Sequence, residues 1–235
     1  ALKPSLGLDD QAALNAVDAT LDVMGQESTA VLDALAVAAE IKIDRILAAT
    51  RPLGVSLSKT GSTTSSVGGP FVPLAGYTFD HRVERIEQAL TELRSLKNRA
   101  RRLPVARPIR GARISSHFGP RVDPFLKRLA MHTGMDFKAQ YGSRVYSSAP
   151  GTVTHAGRKG GYGKLVEIRH AGGFTTRYAH LSRLQVSEGD HVVAGDVIGN
   201  VGSTGRSTGP HLHYEIRRSD NALNPAAFVT AGDRL

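Results

Sequence analysis

The chain has 235 residues, of which 40% are apolar, and its formal net charge at pH 7 is +9. This length and apolar content allow one or two folded domains and exclude a wholly disordered chain. The sequence contains no cysteine, which excludes disulfide bonds and thiolate metal sites, so any metal must be held by histidine and carboxylate side chains.

The first hundred residues are predicted to be mainly helical. From residue 9 to about residue 49, apolar side chains recur at the three-four spacing of one helix face. The residues on this face are Leu14, Val17, Leu21, Met24, Val31 and Leu35. A second helix is predicted from about Asp80 to Leu103, where Pro104 ends the pattern. We expect the two helices to pair as a coiled-coil-like hairpin, or to pair with a second copy of the chain.

Residues 55–78, between the two helices, are rich in serine, threonine, glycine and proline. This composition predicts an extended loop, and a long loop is typically functional or disordered. We interpret residues 1–104, including this loop, as a helical region for regulation or interaction.

A basic stretch joins the two parts of the sequence. No acidic residue lies between Glu92 and Asp123, whereas lysine or arginine occurs nine times there. Such a stretch suits a polyanionic partner, and it equally suits a solvated helix end followed by a linker. It lacks the interleaved aromatic residues of a nucleic-acid platform, so no nucleic-acid partner is expected.

From about residue 113 the pattern changes to short β-branched runs separated by glycine turns. The runs lie at 151–155, 164–169, 174–179, 191–193, 196–198 and 211–216. Short strands with regular glycine turns are typical of an all-β sandwich or barrel. We therefore predict an α+β chain in two parts, with the β domain over residues 105–235.

Five residues suited to metal binding or proton transfer stand in three short motifs of this domain: His132, Asp136, His180, His211 and His213. His211 and His213 are two apart on a predicted strand, so both point to one face. A catalytic zinc site needs three protein ligands and one open position. His132, Asp136 and one histidine of the 211/213 pair would supply the ligands. The remaining imidazoles would lie beside the metal, where a pKa near neutrality suits proton transfer.

These motifs resemble the lysostaphin-type, or LytM-like, zinc metallopeptidases. The similarity covers about Ile114 to Phe228, and the residues that carry it are 131–137, 148–153, 178–181 and 202–215, in the family's order. It implies that His132, Asp136 and His213 bind one zinc ion, and that His180 and His211 are catalytic residues that do not bind it.

The resemblance also implies a fold and a substrate. The expected fold is antiparallel β with a groove walled by loops. The expected reaction is hydrolysis of peptide cross-links in peptidoglycan by zinc-activated water, either at glycyl bridges or at D-amino-acid bonds. In a periplasm, which is the expected compartment, the expected bond is the D,D-bond between D-Ala and diaminopimelate rather than oligoglycine. The glycine-rich segment 199–209 would form one groove wall, because glycine lets an extended peptide approach the backbone closely. The predicted substrate-binding residues are Tyr162, Ser203, Thr204 and Gly205.

Two other functions match parts of the sequence. A non-catalytic activator of a cell-wall amidase would share these motifs but lack zinc ligands, whereas every expected ligand is present here. Residues 187–199 look like a strand-turn pattern of lipoyl or biotinyl carrier domains, but no modifiable lysine follows at a hairpin tip.

The partners and the location follow from the expected substrate. We expect the N-terminal region to restrain the peptidase, with docking of an envelope or divisome protein, or homodimerisation, as the alternatives. A peptidoglycan substrate lies outside the cytoplasmic membrane, and the expected compartment is a periplasm. The chain begins with Ala1 and has no apolar run long enough to span a bilayer, so we expect that an export signal or membrane anchor is missing from it.

Overall fold

The structure is a computed structural model that describes residues 8–57 and 78–235, with side chains described from residue 11 onward. The chain divides into a first unit, residues 1–44 and 59–95, and a second unit, residues 45–58 and 96–235. The predicted domain boundary at residues 104 and 105 stays a prediction. The predicted loop at 55–78 lies mostly outside the described residues.

Two long helices account for the N-terminal part of the structure. They are α1, Leu8–Thr50, and α2, Phe79–Ala100. Within the first unit, ion pairs join Asp33 to Arg82 and Glu40 to Arg85, and Phe79 borders a groove lined by α1 residues between 24 and 32. As the residue number increases along α2, the residue number of the contacting partner on α1 increases as well. The helices run parallel, which corrects the expected hairpin; apolar spacing pairs two helices but does not fix their direction.

The predicted apolar face of α1 is exposed over its first part. Its side chains from Leu14 to Leu35 are between 46% and 59% exposed, whereas Ala36, Ala39 and Ile43 are buried. The exposed stretch is therefore an apolar surface feature of the first unit. None of the helices in the described ranges is both long enough and apolar enough to cross a membrane.

The second unit is built on antiparallel strands, as predicted. The strands are β1 Arg113–Ser116, β2 Gly119–Val122, β3 Leu129–His132, β4 Met135–Lys138, β5 Arg144–Tyr146, β6 Gly151–Arg158, β7 Lys164–His170, β8 Phe174–Leu184, β9 His191–Val192, β10 Val197–Val201, β11 His211–Arg218 and β12 Asn221–Leu223. A short helix, α3 Pro225–Gly232, follows them. The main sheet has the order β1-β4-β11-β8-β7-β6-β9, with β10 on β5 and β8 and β12 on β11. Strands β2 and β3 form a separate hairpin.

Neighbouring strands β4, β11 and β8 carry the motif residues in a fixed register. His213 on β11 is paired with Asp136 on β4 and with Ala179 on β8. Because side chains alternate along a strand, the residues between these positions point to the opposite face. Those residues include Phe137, Leu212 and Tyr214, all fully buried in the core. The sheet thus separates an apolar core from a polar face.

A chain of hydroxyl groups lies in the core below this polar face. The Tyr178 hydroxyl accepts a hydrogen bond from the Ser148 backbone N–H at 2.9 Å, and the Tyr214 hydroxyl donates to Ser148 Oγ at 2.8 Å. Thr176 Oγ1 donates to the Tyr178 hydroxyl at 3.1 Å. Buried polar groups are costly without partners, so these bonds favour one alignment of β8 and β11.

Candidate metal centre

Three buried side chains converge on one point of the polar face: His132 at the end of β3, Asp136 on β4 and His213 on β11. Asp136 Oδ1 lies 3.1 Å from His132 Nε2 and 2.9 Å from His213 Nδ1, and these two nitrogens are 3.1 Å apart. A bend at Thr133 and Gly134 joins β3 to β4, and the pairing of β4 with β11 adds His213. The structure therefore brings together all three predicted ligands.

Neighbouring acceptors determine which nitrogen of each imidazole faces the cluster. His132 Nδ1 donates to the His117 carbonyl at 2.7 Å, and His213 Nε2 donates to Glu215 Oε1 at 3.1 Å. Since a carbonyl or a carboxylate can only accept, these nitrogens carry the protons. The other two nitrogens, His132 Nε2 and His213 Nδ1, face Asp136 Oδ1 and the centre of the cluster, and these are the atoms that would give their lone pairs to a metal.

The donor set fits a divalent metal. Two imidazole nitrogens and one carboxylate oxygen lie within 4.8 Å of one another, and zinc binds such atoms at about 2.0–2.2 Å. Three protein ligands leave a further position for water or substrate. The cluster is accordingly a candidate metal site, and the residues present suit zinc.

Glu215 binds the side of the His213 ring that faces away from the cluster. The sequence analysis did not predict this role of Glu215. Its side chain is fully buried, and Oε1 accepts hydrogen bonds from Thr133 at 2.6 Å, Tyr162 at 3.0 Å and His213 at 3.1 Å. Burial acts to raise the pKa of this carboxyl, but the bonds from His213 and Thr133 lower it to about 2. Glu215 is therefore an anion that orients His213. Strand alternation contained the signal, because residues 211, 213 and 215 share one face.

Two further histidines flank the cluster without joining it. His180 Nδ1 donates to the Thr204 carbonyl at 2.8 Å, and His211 Nδ1 donates to the Gly209 carbonyl at 2.8 Å. Their ring centroids are 4.8 Å apart, and His211 Nε2 lies 4.0 Å from Asp136 Oδ1. In each ring Nδ1 makes the bond to the carbonyl, so Nε2 is not used by it. Burial lowers the pKa of His180 to about 4, so this imidazole is neutral at pH 7.

His180 takes an unusual backbone conformation to reach this position. Its φ angle is 61°, in the left-handed region that side chains other than glycine rarely adopt. Such strain persists only where the surrounding structure holds it, and it is frequent at functional sites. Here the hydrogen bond to Thr204 is one of the interactions that hold it.

Asp136 and His213 of the cluster, together with both flanking histidines, line a cleft of about 350 Å³. Of the predicted substrate-binding residues, Tyr162 lines this cleft. Ser203, Thr204 and Gly205 do not line it; the same loop contributes Arg206, Ser207 and Thr208 instead. A glycine-rich composition predicts the wall, but it does not predict which of its side chains face inward.

The contacts of the three remaining residues explain this difference. Thr204 Oγ1 accepts from the Lys164 N–H and donates to the Leu181 carbonyl, both at 2.9 Å, so Thr204 positions the loop and His180. Ser203 Oγ donates to Ser207 Oγ at 3.0 Å. Gly205 lies so close to another turn that a Cβ would stand 2.4 Å from the Gly163 nitrogen. All three residues therefore make contacts within the protein, and their contact with a substrate stays a prediction.

Gly134 is required by the close approach of its turn to β11. A Cβ at this position would lie 2.5 Å from the Tyr214 carbonyl oxygen and 2.8 Å from His213 Cε1. We therefore expect Gly134→Ala to displace His213, lower the melting temperature and weaken metal binding. Calorimetry and a chelator competition would measure the two effects. Gly209→Ala is the matched control, because a Cβ there meets open space; equal behaviour of the two variants would contradict this reading.

Comparisons with known proteins agree with this site. Residues 130–225 match the sequence profile of peptidase family M23. The DD-carboxypeptidase/endopeptidase Mpg of Neisseria meningitidis serogroup B is 54% identical over 122 residues, which are 52% of this chain and 28% of the relative. The peptidoglycan DD-endopeptidase ShyA of Vibrio cholerae is 47% identical over 105 residues, which are 44% of this chain and 24% of the relative. The chain thus spans about a quarter of the length of these curated relatives.

Among solved structures, the catalytic domain of the antimicrobial peptidase lysostaphin from Staphylococcus simulans is 32% identical to the chain. The match covers 50% of this chain and 92% of that domain, with a TM-score of 0.48. The profile match includes His132, Asp136, His180, His211 and His213. The second unit of this chain therefore contains a domain of peptidase family M23.

Proposed function

We propose that this chain is a zinc-dependent endopeptidase that hydrolyses peptide cross-links of peptidoglycan. The observation that carries the proposal is the cluster of His132, Asp136 and His213, with two more imidazoles directed at the same cleft. The relatives named DD-carboxypeptidase/endopeptidase and peptidoglycan DD-endopeptidase support the substrate class. The bond between D-Ala and diaminopimelate is the proposed target.

Zinc is the proposed cofactor, with one ion per chain held by His132, Asp136 and His213. When bound, it supplies Lewis-acid chemistry, which polarises a substrate carbonyl and lowers the pKa of water. Glu215 keeps the His213 proton on Nε2, so Nδ1 stays directed at the ion. The His117 carbonyl does the same for His132.

The two remaining histidines are the proposed proton-transfer residues. His180 and His211 each hold a proton on Nδ1 and leave Nε2 free toward the cleft. One Nε2 takes a proton from the attacking water and later returns a proton to the leaving amine. Both rings are also proposed to stabilise the tetrahedral intermediate, in which the negative charge lies on the former carbonyl oxygen; a ring whose Nε2 has taken up a proton can donate a hydrogen bond to that oxygen. Tyr162, which lines the cleft, is the proposed contact for the peptide.

Mass analysis of released muropeptides tests this function. The purified chain, loaded with zinc, is incubated with peptidoglycan cross-linked through D-Ala and diaminopimelate. We expect cross-linked dimers to be converted to monomers, with intact glycan strands. Protein stripped of metal by a chelator should be inactive, and zinc should restore activity. A purified chain that binds no metal, or that stimulates an amidase without cleaving dimers itself, would favour the amidase activator instead.

We further propose that the N-terminal helical unit restrains the peptidase. A wall hydrolase endangers its own cell, and a separate unit of two helices precedes the M23 domain. Residues 45–235 keep every segment of the second unit while removing most of α1. We expect this shortened chain to cleave purified peptidoglycan faster than the full chain does. Equal rates would reject restraint and favour docking of an envelope protein, or homodimerisation, through the exposed face of α1.

The proposed location is the cell envelope outside the cytoplasmic membrane, in a periplasm. The proposed substrate exists only there, and one of the relatives named above, ShyA, is called a peptidoglycan DD-endopeptidase.

A further inference from the structure

A second cavity continues from the cleft past His211. Asp136 and His211 line both cavities, whereas Lys138 and Pro210 line only the second. The two cavities are therefore two arms of one groove that meet at Asp136 and His211. An extended peptide continues on both sides of its scissile bond, so the second arm is placed to receive one side of it.

Lys138 lies on the same sheet face as the metal ligands. It follows Asp136 by two residues on β4, and its cross-strand partner on β11 is His211. Directly opposed residues in an antiparallel pair have Cβ atoms about 4.5–5.5 Å apart. On its other side Lys138 is paired with Arg113 of β1. A row of two cations therefore leads up to His211.

The positive charge of Lys138 is not neutralised. Its side chain is exposed, and no hydrogen bond or ion pair engages its ammonium group in the described part of the chain. Two other cations at the groove have partners: Arg206 binds Asp123 at 2.6 Å, and Arg121 lies 3.3 Å from Asp136. Among the residues that the structure describes, Asp136 supplies the only carboxylate that lines the second arm, and it belongs to the candidate metal site.

We propose that Lys138 binds a substrate carboxylate attached to the carbon next to the scissile amide nitrogen, and that it thereby selects diaminopimelate cross-links. This inference rests on the proposed function. In a cross-link between D-Ala and diaminopimelate, that carbon carries a free carboxylate. In lysine cross-links and glycine bridges, the same carbon carries none. An ammonium group is a strong partner for such a carboxylate.

The position of Lys138 matches this geometry. The carboxylate is separated from the scissile nitrogen by a single carbon, and Lys138 is the direct neighbour of His211. Binding there places the leaving amine beside the imidazole that can deliver its proton. Lys138 thus determines specificity and orients the substrate, while the bond-breaking chemistry belongs to the histidines and the metal.

Two peptide dimers and three variants test the inference. The dimers share a D-Ala–diaminopimelate cross-link and differ only in that the carboxylate beside the scissile nitrogen is free or is a carboxamide. The zinc-loaded full chain is measured for kcat/KM on both dimers, beside Lys138→Met and Lys138→Arg. Lys42→Met is the matched control, because Lys42 is an exposed lysine on α1 of the first unit.

We expect the wild type and Lys42→Met to prefer the free carboxylate by roughly tenfold, the usual scale for a hydrogen bond to a charged group. Lys138→Met should lose this preference while keeping its rate on the carboxamide, and Lys138→Arg should restore part of it. Equal losses on both dimers, or no preference in the wild type, would overturn the inference alone. Cleavage of neither dimer by the wild type would overturn the proposed function, and the inference with it.

Discussion

Replacing His213 by alanine is expected to abolish both metal binding and peptidase activity, whereas His211→Ala should abolish activity and keep the metal. His213 Nδ1 lies 2.9 Å from Asp136 Oδ1 and 3.1 Å from His132 Nε2, so its loss removes a ligand. His211 Nε2 is 4.0 Å from Asp136 Oδ1, and its loss removes a proton-transfer group worth about 10²–10⁴-fold in rate.

Zinc content after gel filtration and cleavage of cross-linked dimers measure the two effects separately. His191→Ala is the control, because this exposed histidine bonds only Thr152 among the residues that the structure describes. Its variant should keep both metal and activity. Metal loss in His211→Ala together with metal retention in His213→Ala would reverse the two roles.

Replacing Glu215 by glutamine is expected to weaken zinc binding by roughly 10–100-fold, the scale for groups that orient metal-binding histidines. The carboxylate accepts from His213, Thr133 and Tyr162 through one oxygen, and an amide offers only one acceptor oxygen for all its donors. His213 would then lose the partner that keeps its proton on Nε2. Stability should also fall by about 3 kcal/mol, because Arg217, which lies 2.8 Å from the carboxylate, loses its charge partner.

The matched control for this variant is Glu167→Gln. Glu167 binds Arg177 at 2.5 Å and Lys159 at 2.7 Å in the same unit, but it contacts none of the three metal ligands. Both variants should therefore be less stable in denaturant titration, and only Glu215→Gln should bind zinc more weakly in a chelator competition. Equal zinc affinity in both variants would show that Glu215 contributes to folding alone.

The sequence predicted the parts of this site that depend on strand alternation. His211 and His213 were placed on one face by their spacing, and the structure pairs them with Lys138 and Asp136 on that face. The same alternation places Glu215 on the face of the two histidines. A single glutamate on a strand does not predict a role at the site, however, unless its hydrogen-bond donors are known. Its donors, Thr133 and Tyr162, lie far away along the chain, so spacing could not reveal them.

Two other features depend on information that spacing does not contain. The parallel direction of α1 and α2 follows from which residues form ion pairs, such as Glu40 with Arg85, while an apolar repeat is the same in either direction. The inward-facing residues of the glycine-rich wall follow from backbone contacts, such as that of Gly205 with Gly163. The glycine-rich composition predicted that this segment forms a wall of the cleft, but it did not predict which of its residues face the cleft and which face the protein.

Strand β11 is constrained on both of its surfaces at once. Above the sheet, His213 and Glu215 have partners in the cleft, and below it the Tyr214 hydroxyl is bonded to Ser148. Sliding the strand by one residue would turn both histidines into the core and the tyrosine into the cleft, leaving every one of these groups without its partner. The tyrosine network therefore favours the same strand alignment that assembles the cluster in the cleft. A sheet with β11 misaligned would lack the metal site, and it would also be unstable because its buried hydroxyl groups lose their partners. An inactive fold of this kind therefore cannot persist beside the active one.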